Sequence, residues 1–457
     1  MSDLLEKDIG KLIIVTKKEG DKEIVHKGYL VSITNHLSGF NLSATLKLKQ
    51  SGYNIDINLE NTKIENTKIE ITNEKVELGK PPTHKLKNNS KLPNITYIGT
   101  GGTIGTHVDY NTGGVHMCRT PEEIISTTPE LENIVNIKKI ESPIIKASED
   151  LYPKDWEMIS KTVYNSLEDK DIDGIIITHG TDTLSYTGTA ISFMIENVNK
   201  PVLLVGAQRS PDRASFDGFM NLICAAQFIK DKVPGVYLVM HGSINDDFCY
   251  VIRANKSRKM HTSRRDAFKA INEVPVAKVY KNGKIEYLVN KPIITKKPKL
   301  NNTFENKVAL IKVYPGSDPS IIDWYIDNKY KGLVLEGTGL GHIPTGLGGI
   351  SKDLPEDKQW LPFVKKAVDK GIIVIMSSQC LFGRVNSKVY ANLIYTENVG
   401  VEYLDNHDML PEVTYIKLGV ALSRFKTKKE VINYMKTSVA GEITEKETPN
   451  AYDKAIE

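Results

Sequence analysis

Thr178-His179-Gly180-Thr181-Asp182-Thr183 places hydroxyls and a carboxylate directly after a β-branched run, Ile175-Ile176-Ile177. The run reads as a fully buried parallel strand, and Leu184 to Ile195 after it has helix-like apolar spacing. Thr181 and Asp182 then sit at the carboxyl end of a strand beside a helix N-terminus, where open α/β sheets place their chemistry. The bland alternative is that Thr181, Asp182 and Thr183 only cap the helix. A second hydroxyl-bearing glycine loop, Gly99 to Thr106, favours chemistry. It is not a phosphate loop: no Gly-Lys-Ser/Thr follows, and Ile104 stands where G-x-G-x-x-G requires Gly or Ala. What remains is a flexible turn presenting Thr103 at a strand end, with small residues that let substrate and backbone amides come close, as an oxyanion hole requires.

A threonine hydroxyl is a poor nucleophile until a base takes its proton. The chain offers Lys259, in Arg258-Lys259-Met260-His261-Thr262-Ser263, and Asp182 beside Thr181. Lysine acts as a base only when neutral, so its pKa must be lowered, and a neighbouring carboxylate pushes the other way.

The elements that must position these groups follow from hydrophobic patterning. Residues 1–80 carry short strand-like runs (Leu12–Thr16, Ile24–Ile33, Thr45–Lys49, Tyr53–Ile57) separated by turn residues and no helix, which predicts a small antiparallel barrel. Leu59–Glu65 is echoed five residues on by Ile64–Glu70, too short for a solenoid repeat. Residues 81–93, rich in Pro, Lys and Asn, read as a linker. From Asn94 strands and helices alternate. Residues 94–290 predict a doubly wound, mainly parallel sheet, 291–306 a connector, and 307–440 a second α/β domain. Pro121 to Ile125 reads as a helix start. Residues 441–457 lose apolar periodicity and read as a fraying tail.

At 457 residues, 40% apolar and 25% charged, the composition is that of a soluble globular protein of two or three domains. No apolar run reaches the about 20 residues that span a bilayer, and the start lacks the basic and apolar regions of a signal peptide. Four scattered cysteines without a C-x-x-C pair suggest a reducing cytoplasm and no structural zinc, and Cys118 reads as a plain thiol. A net charge of +4 is too mild to argue for nucleic acid. Asp405, His407 and Asp408 form a loop trio of a kind that seldom binds metal.

Thr100-Gly101-Gly102-Thr103-Ile104 and His179-Gly180-Thr181-Asp182-Thr183 resemble the two signature segments of the asparaginase/glutaminase family, over about Asn94 to Lys436. The N-terminal barrel and the run Arg253 to Phe268 further resemble the branch of that family that works within tRNA-dependent amidotransferases. The resemblance implies a two-domain asparaginase-like α/β fold after the barrel. It implies Thr103 as nucleophile on the side-chain amide of glutamine or asparagine, with Tyr110 assisting from a flap. Thr181, Asp182 and Lys259 would polarise Thr181 or the attacking water, and Ser148 and Glu149 would hold the substrate's α-carboxylate and α-ammonium. It implies no cofactor on this chain. ATP and Mg2+ would belong to a partner, the amidotransferase E subunit, in a heterodimer or a dimer of heterodimers that meets Glu-tRNA(Gln) mainly through that partner. Leu340 and His342 depart from the family, which carries polar amides in that glycine turn; His342 reads as a loop histidine bonded to backbone. The alternatives are a stand-alone L-asparaginase/glutaminase with an accessory domain, and an RNA-binding barrel on an inactive scaffold.

Overall fold

The computed structural model describes residues 8, 10–19, 22–36, 41–48, 54–58, 67–75, 89–108, 115–117, 128–211, 215–347, 354–447 and 451–452. The expected helix start at 121–125, Tyr110 and Cys118 lie outside them, as do the linker before residue 89 and most of the echoed segment. The chain divides into two compact units. One takes Met1–His84, Gly105–Thr127 and Arg209–Phe216; the other takes Lys85–Ile104, Thr128–Gln208 and Asp217–Glu457.

In the first unit, β1 (Lys11–Glu19), β2 (Lys22–His36), β3 (Asn41–Leu48), β4 (Asn54–Asn58) and β5 (Thr67–Lys75) pair antiparallel in the order β4-β3-β2-β1-β5. The alternation legible in the sequence sends Ile13, Val15, Leu30, Ala44 and Leu46 to one small core. The sequence predicted a closed barrel. Among the described residues the sheet is open, since no pairing joins β4 to β5.

In the second unit, β6 (Asn94–Gly99) lies in an eight-stranded sheet. Between it and the next sheet strand, β7 (Thr106–Val108) and β8 (Val115–Met117), which belong to the first unit, form a hairpin. Then come β9 (Asn136–Glu141), α1 (Pro153–Glu168), β10 (Gly174–Thr178) and α2 (Leu184–Met194), followed by the short β11 (Ile195–Glu196), β12 (Pro201–Val205) and α3 (Gly218–Ile229). The chain continues through β13 (Gly235–His241), β14 (Cys249–Arg253), β15 (Ser257–Lys259), β16 (Phe268–Ala270), β17 (Ala277–Val279) and β18 (Ile285–Tyr287). The sheet order is β18-β17-β14-β13-β12-β10-β6-β9. From β9 to β13 neighbours run parallel, and β14, β17 and β18 add an antiparallel edge. Ile175, Ile176 and Ile177 are fully buried, as a strand covered by helices on both faces requires.

A second sheet follows β19 (Lys299–Leu300), which pairs with β11. Its strands β20 (Val308–Lys312), β21 (Gly332–Gly337) and β22 (Ile373–Ser378) run parallel, with α4 (Ile321–Asp327) and α5 (Trp360–Asp369) in the crossovers. Helices α6 (Ala391–Asn398), α7 (Pro411–Arg424) and α8 (Lys428–Lys436) complete it. Every residue of α2 except Tyr186 is buried, because α2 lies between the sheets. Its Ala190, Phe193 and Met194 share a core with Val334, Ile375, Val413 and Leu418. That placement makes the loop before α2 a fixed platform.

The segment just after Ala440 does not fray. Glu442 is fully buried and pairs with buried Lys417 at 2.5 Å, and Thr444 donates its hydroxyl to Asp408 at 2.6 Å. The apolar pattern ends there because buried charges, not side-chain hydrophobicity, hold this stretch.

Candidate active site

Parallel register brings Gly99, Thr178 and Val205 to one edge of the large sheet. The loops leaving β6 and β10 are stitched together at once. The Thr100 amide and hydroxyl both donate to the Thr178 carbonyl, at 3.0 and 2.9 Å, and the His179 amide donates to Val205 O at 3.0 Å. Gly102, at φ +87°, packs so closely that a Cβ there would lie 2.2 Å from the Gly180 nitrogen. A Cβ on Gly180 would lie 2.6 Å from Ser148 Oγ, so the segment carrying Ser148 joins the same cluster. The backbones of the two signature loops and the side chain of Ser148 therefore meet at one point. The Thr103 side chain is outside the described residues; its backbone opens a 3-10 turn, Thr103–Gly105.

Lys259 reaches this edge from β15, whose pairing with β16 sets Lys259 opposite Phe268. Its Nζ donates to Thr181 Oγ1 at 2.8 Å and to Asp182 Oδ1 at 2.8 Å. Thr181 is buried while the Asp182 side chain is 63% exposed, so the carboxylate faces solvent and the hydroxyl does not. This hydroxyl–amine–carboxylate chain can pass a proton between Thr181 and Lys259 while Asp182 holds the amine in place. Helix capping does not account for the motif. Thr183 stands at the N-cap of α2 without a capping bond, and its hydroxyl donates instead to Ser148 O at 2.6 Å. Ser148 is buried and Glu149 exposed, on a 3-10 turn.

A cavity of ≈ 340 Å³ opens beside Lys259, lined by Asp182, Ser185, Tyr186, Arg258 and His261 among others. Arg258 was not singled out by sequence reasoning. Its Nη1 donates to buried Glu412 Oε1 at 2.6 Å, joining β15 to α7. Burial pushes the Tyr186 phenol up to about 12 and the nearby Glu412 adds to this, so Tyr186 keeps its proton. His179 was also passed over. It is fully buried, its Nδ1–H donates to Gly180 O at 2.7 Å, and its Nε2 accepts from the Thr187 hydroxyl at 2.8 Å. Burial lowers its pKa to about 4, which keeps the ring neutral and able to make both bonds. The eight-residue spacing from His179 to Thr187 is the signal, but it has meaning only once α2 is known to return over the strand end.

Other candidates stand apart from this site. His342 pairs across its own turn with Thr338, while its Nδ1 accepts from the Asn392 side-chain amide at 3.0 Å and its ring packs against Tyr390. Its ring partner is thus a side chain rather than backbone. Asp405, His407 and Asp408 part company: Asp405 pairs with Lys436, His407 Nε2 donates to Met376 O, and Asp408 pairs with Lys256. Among the described residues, no group of three or more His, Cys, Asp or Glu side chains is placed to hold a metal ion. Nor is any described helix long and apolar enough to cross a membrane.

Strand order and site together define an asparaginase-type α/β fold. Residues 94–292 match the family described as "Asparaginase, N-terminal", and residues 307–435 match "Glutaminase/Asparaginase C-terminal domain". Among solved structures, the thermostable L-asparaginase from Thermococcus kodakarensis aligns with a TM-score of 0.68 at 27% identity, covering 77% of this chain and 100% of that one. The D subunit of glutamyl-tRNA(Gln) amidotransferase from Pyrococcus abyssi is 42% identical over 446 residues, covering 96% of this chain and 95% of that one. Its counterpart in Pyrococcus horikoshii is 43% identical over 443 residues, with 96% and 95% covered. The chain belongs to the family of glutamyl-tRNA(Gln) amidotransferase D subunits, within the asparaginase fold.

Proposed function

We propose that this chain is the amide-hydrolysing component of a tRNA-dependent amidotransferase. It takes glutamine or asparagine, releases ammonia, and passes the ammonia to a partner that converts Glu-tRNA(Gln) to Gln-tRNA(Gln). The observation that carries this reading is the extent of the match. The Pyrococcus abyssi D subunit aligns over 96% of the chain, whereas an L-asparaginase aligned over its whole length accounts for 77%. A stand-alone asparaginase leaves the N-terminal strands without a task. We read those strands as a small β-domain appended to the hydrolytic unit.

In this reading Thr103 attacks the side-chain amide carbon, Tyr110 assists it, and backbone amides of the glycine loop stabilise the oxyanion. Lys259, held by Asp182, takes the proton of Thr181 or of the water that resolves the acyl intermediate. Ser148 and Glu149 hold the α-carboxylate and α-ammonium of the substrate. The partner is the amidotransferase E subunit, in a heterodimer or a dimer of heterodimers working in the cytoplasm. ATP and Mg2+ serve the partner, which phosphorylates the glutamyl group and contributes most of the contact with tRNA.

The test is hydrolysis of glutamine and of asparagine by the purified chain alone, with the partner, and with the partner and Glu-tRNA(Gln). Turnover should rise with both additions and vanish in Thr103→Ala. Full activity of the chain alone, indifferent to both additions, overturns the tRNA-dependent reading. Retained turnover in Thr103→Ala overturns the nucleophile assignment.

A further inference from the structure

A second cavity, of ≈ 360 Å³, lies at the far end of the same sheet strands, where Gly235 and Val236 begin β13 and Arg253 ends β14. That volume is in the range of small-molecule sites. Ile195, Val198, Val236 and Val439 supply apolar walls, and among the described residues Arg253 is the one charged side chain in the lining. The guanidinium makes no hydrogen bond among the described residues. Its nearest countercharge, Glu273 Oε2, lies 3.6 Å away, outside hydrogen-bond reach. The other Glu273 oxygen, Oε1, is buried without any hydrogen-bond partner. Burial pushes the Glu273 carboxyl up to about 7 while Arg253 opposes the shift, so this acid is an incomplete countercharge at neutral pH. The Arg253 side chain, 31% exposed, thus lines the cavity with its guanidinium in a long ion pair and in no hydrogen bond among the described residues.

The cavity is also built rather than incidental. Its Ser438–Gly441 wall is held by Glu442, which accepts from the Val439 and Ala440 amides at 3.1 and 2.8 Å and pairs with buried Lys417. Asn255 Nδ2 donates to Ala440 O at 3.0 Å and ties that wall to the turn after Arg253. A site whose walls are already ordered loses little entropy on filling.

We propose that this cavity binds a small organic carboxylate with an apolar body, the carboxylate on the Arg253 guanidinium and the body against Ile195, Val198 and Val236. A guanidinium takes a carboxylate through two parallel hydrogen bonds, and the apolar walls add to binding only for an acid with a larger apolar body than acetate. The inference does not depend on the catalytic reading, because its test reads heat and not turnover.

The experiment is isothermal titration calorimetry of the full chain at low salt with 4-methylpentanoate, 4-methylpentan-1-ol and acetate as probes. The branched acid should bind at least about tenfold tighter than the alcohol, a ratio within reach of one charge-assisted pair, and at least about tenfold tighter than acetate, which makes the same pair but buries far less apolar surface. Arg253→Gln should remove the preference over the alcohol while leaving the alcohol unchanged. Val439→Phe, which fills the cavity from a partly exposed position, should weaken acid and alcohol alike and guards against a misfolded Arg253 variant. Equal binding of acid and alcohol, an unchanged preference in Arg253→Gln, or no heat from the acid overturns the proposal.

Discussion

Lys259 and Thr181 lie 78 residues apart in sequence, yet the lysine Nζ donates to the threonine Oγ1 at 2.8 Å. The same nitrogen is 2.8 Å from Asp182 Oδ1, so one amine bridges a buried hydroxyl and an exposed carboxylate. In the proposed mechanism, removing the amine leaves Thr181 without its proton acceptor. Lys259→Met should therefore lower kcat by about 10²–10⁴, the usual contribution of general base catalysis. Asp182→Asn should cost less, since the carboxylate orients the amine and is screened by water. Steady-state kinetics on both variants checks the order. Equal loss in KM alone, with kcat preserved, would assign the pair to binding instead.

Two buried histidines make stability depend on pH. His179 and His407 are fully buried, and burial lowers each to about 4. An unfolded histidine titrates near 6.5. Between those values the unfolded chain binds protons at these two sites that the folded chain does not, so the histidine contribution to stability is complete above pH 6.5 and falls as pH drops towards 4, while Glu273, pushed up to about 7, works in the opposite sense. Each histidine contributes at most about 3 kcal/mol to that slope. Urea midpoints between pH 7.5 and 4.5 measure it. His407→Gln, which keeps an N–H donor for Met376 O, should make the loss of stability towards pH 4.5 smaller than in the parent, the other titrating groups being common to both. An unchanged slope in that variant counts against a neutral His407.

Much of the α/β framework was legible because its strands are apolar on both faces. The run Ile175-Ile176-Ile177 lies within β10, Gly174–Thr178. Periodicity reports burial, and in a covered parallel sheet burial is nearly continuous. Closure of the N-terminal sheet was not legible, because whether β4 meets β5 depends on twist and stagger that alternation does not encode. The glycine loops, Thr181, Asp182 and Lys259 were named from residue type and from the resemblance, and the side chains of the last three meet in the structure. Arg258 and Glu412 were missed because they are 154 residues apart and meet only when α7 crosses α2, and His179 because its bond to Thr187 needs α2 to return over the strand end. The segment after Ala440 was misjudged for the same reason, since Glu442 and Thr444 look like tail residues until Lys417 and Asp408 are placed beside them.

The approach of the two signature loops is testable through a pair of glycines with the same backbone angle. Gly102 and Gly316 both have φ +87°, but a Cβ on Gly102 would meet the Gly180 backbone at 2.2 Å whereas one on Gly316 meets nothing within 4 Å. Gly316→Ala should cost only the left-handed strain, about 1–2 kcal/mol. Gly102→Ala must also push the loops apart, so it should cost more than about 3 kcal/mol and abolish turnover. Denaturant titration and an amide-hydrolysis assay separate the two terms. Equal cost at both positions would mean that the loops can part without penalty.

Lys256 sits three residues before Lys259 and meets Asp408 at 2.8 Å, with both side chains almost fully buried. Burial raises the Asp408 pKa, but Lys256 and the Thr444 bonds outweigh it and hold the carboxyl below its ordinary value. The pair therefore stays charged inside the protein. Breaking it by Asp408→Ala strands a buried ammonium, and the expected loss is about 3–5 kcal/mol. Lys256→Met combined with Asp408→Leu removes both charges and should lose less than either single change, because no ion is left without its partner. The kinetics carry the sharper reading. If Lys256 fixes the base of β15, Asp408→Ala should lower kcat even at temperatures where it is fully folded, whereas the double variant, which restores packing there, should recover much of it. A double variant as slow as the single one would show that the charge itself, and not the position of β15, is what Lys259 requires.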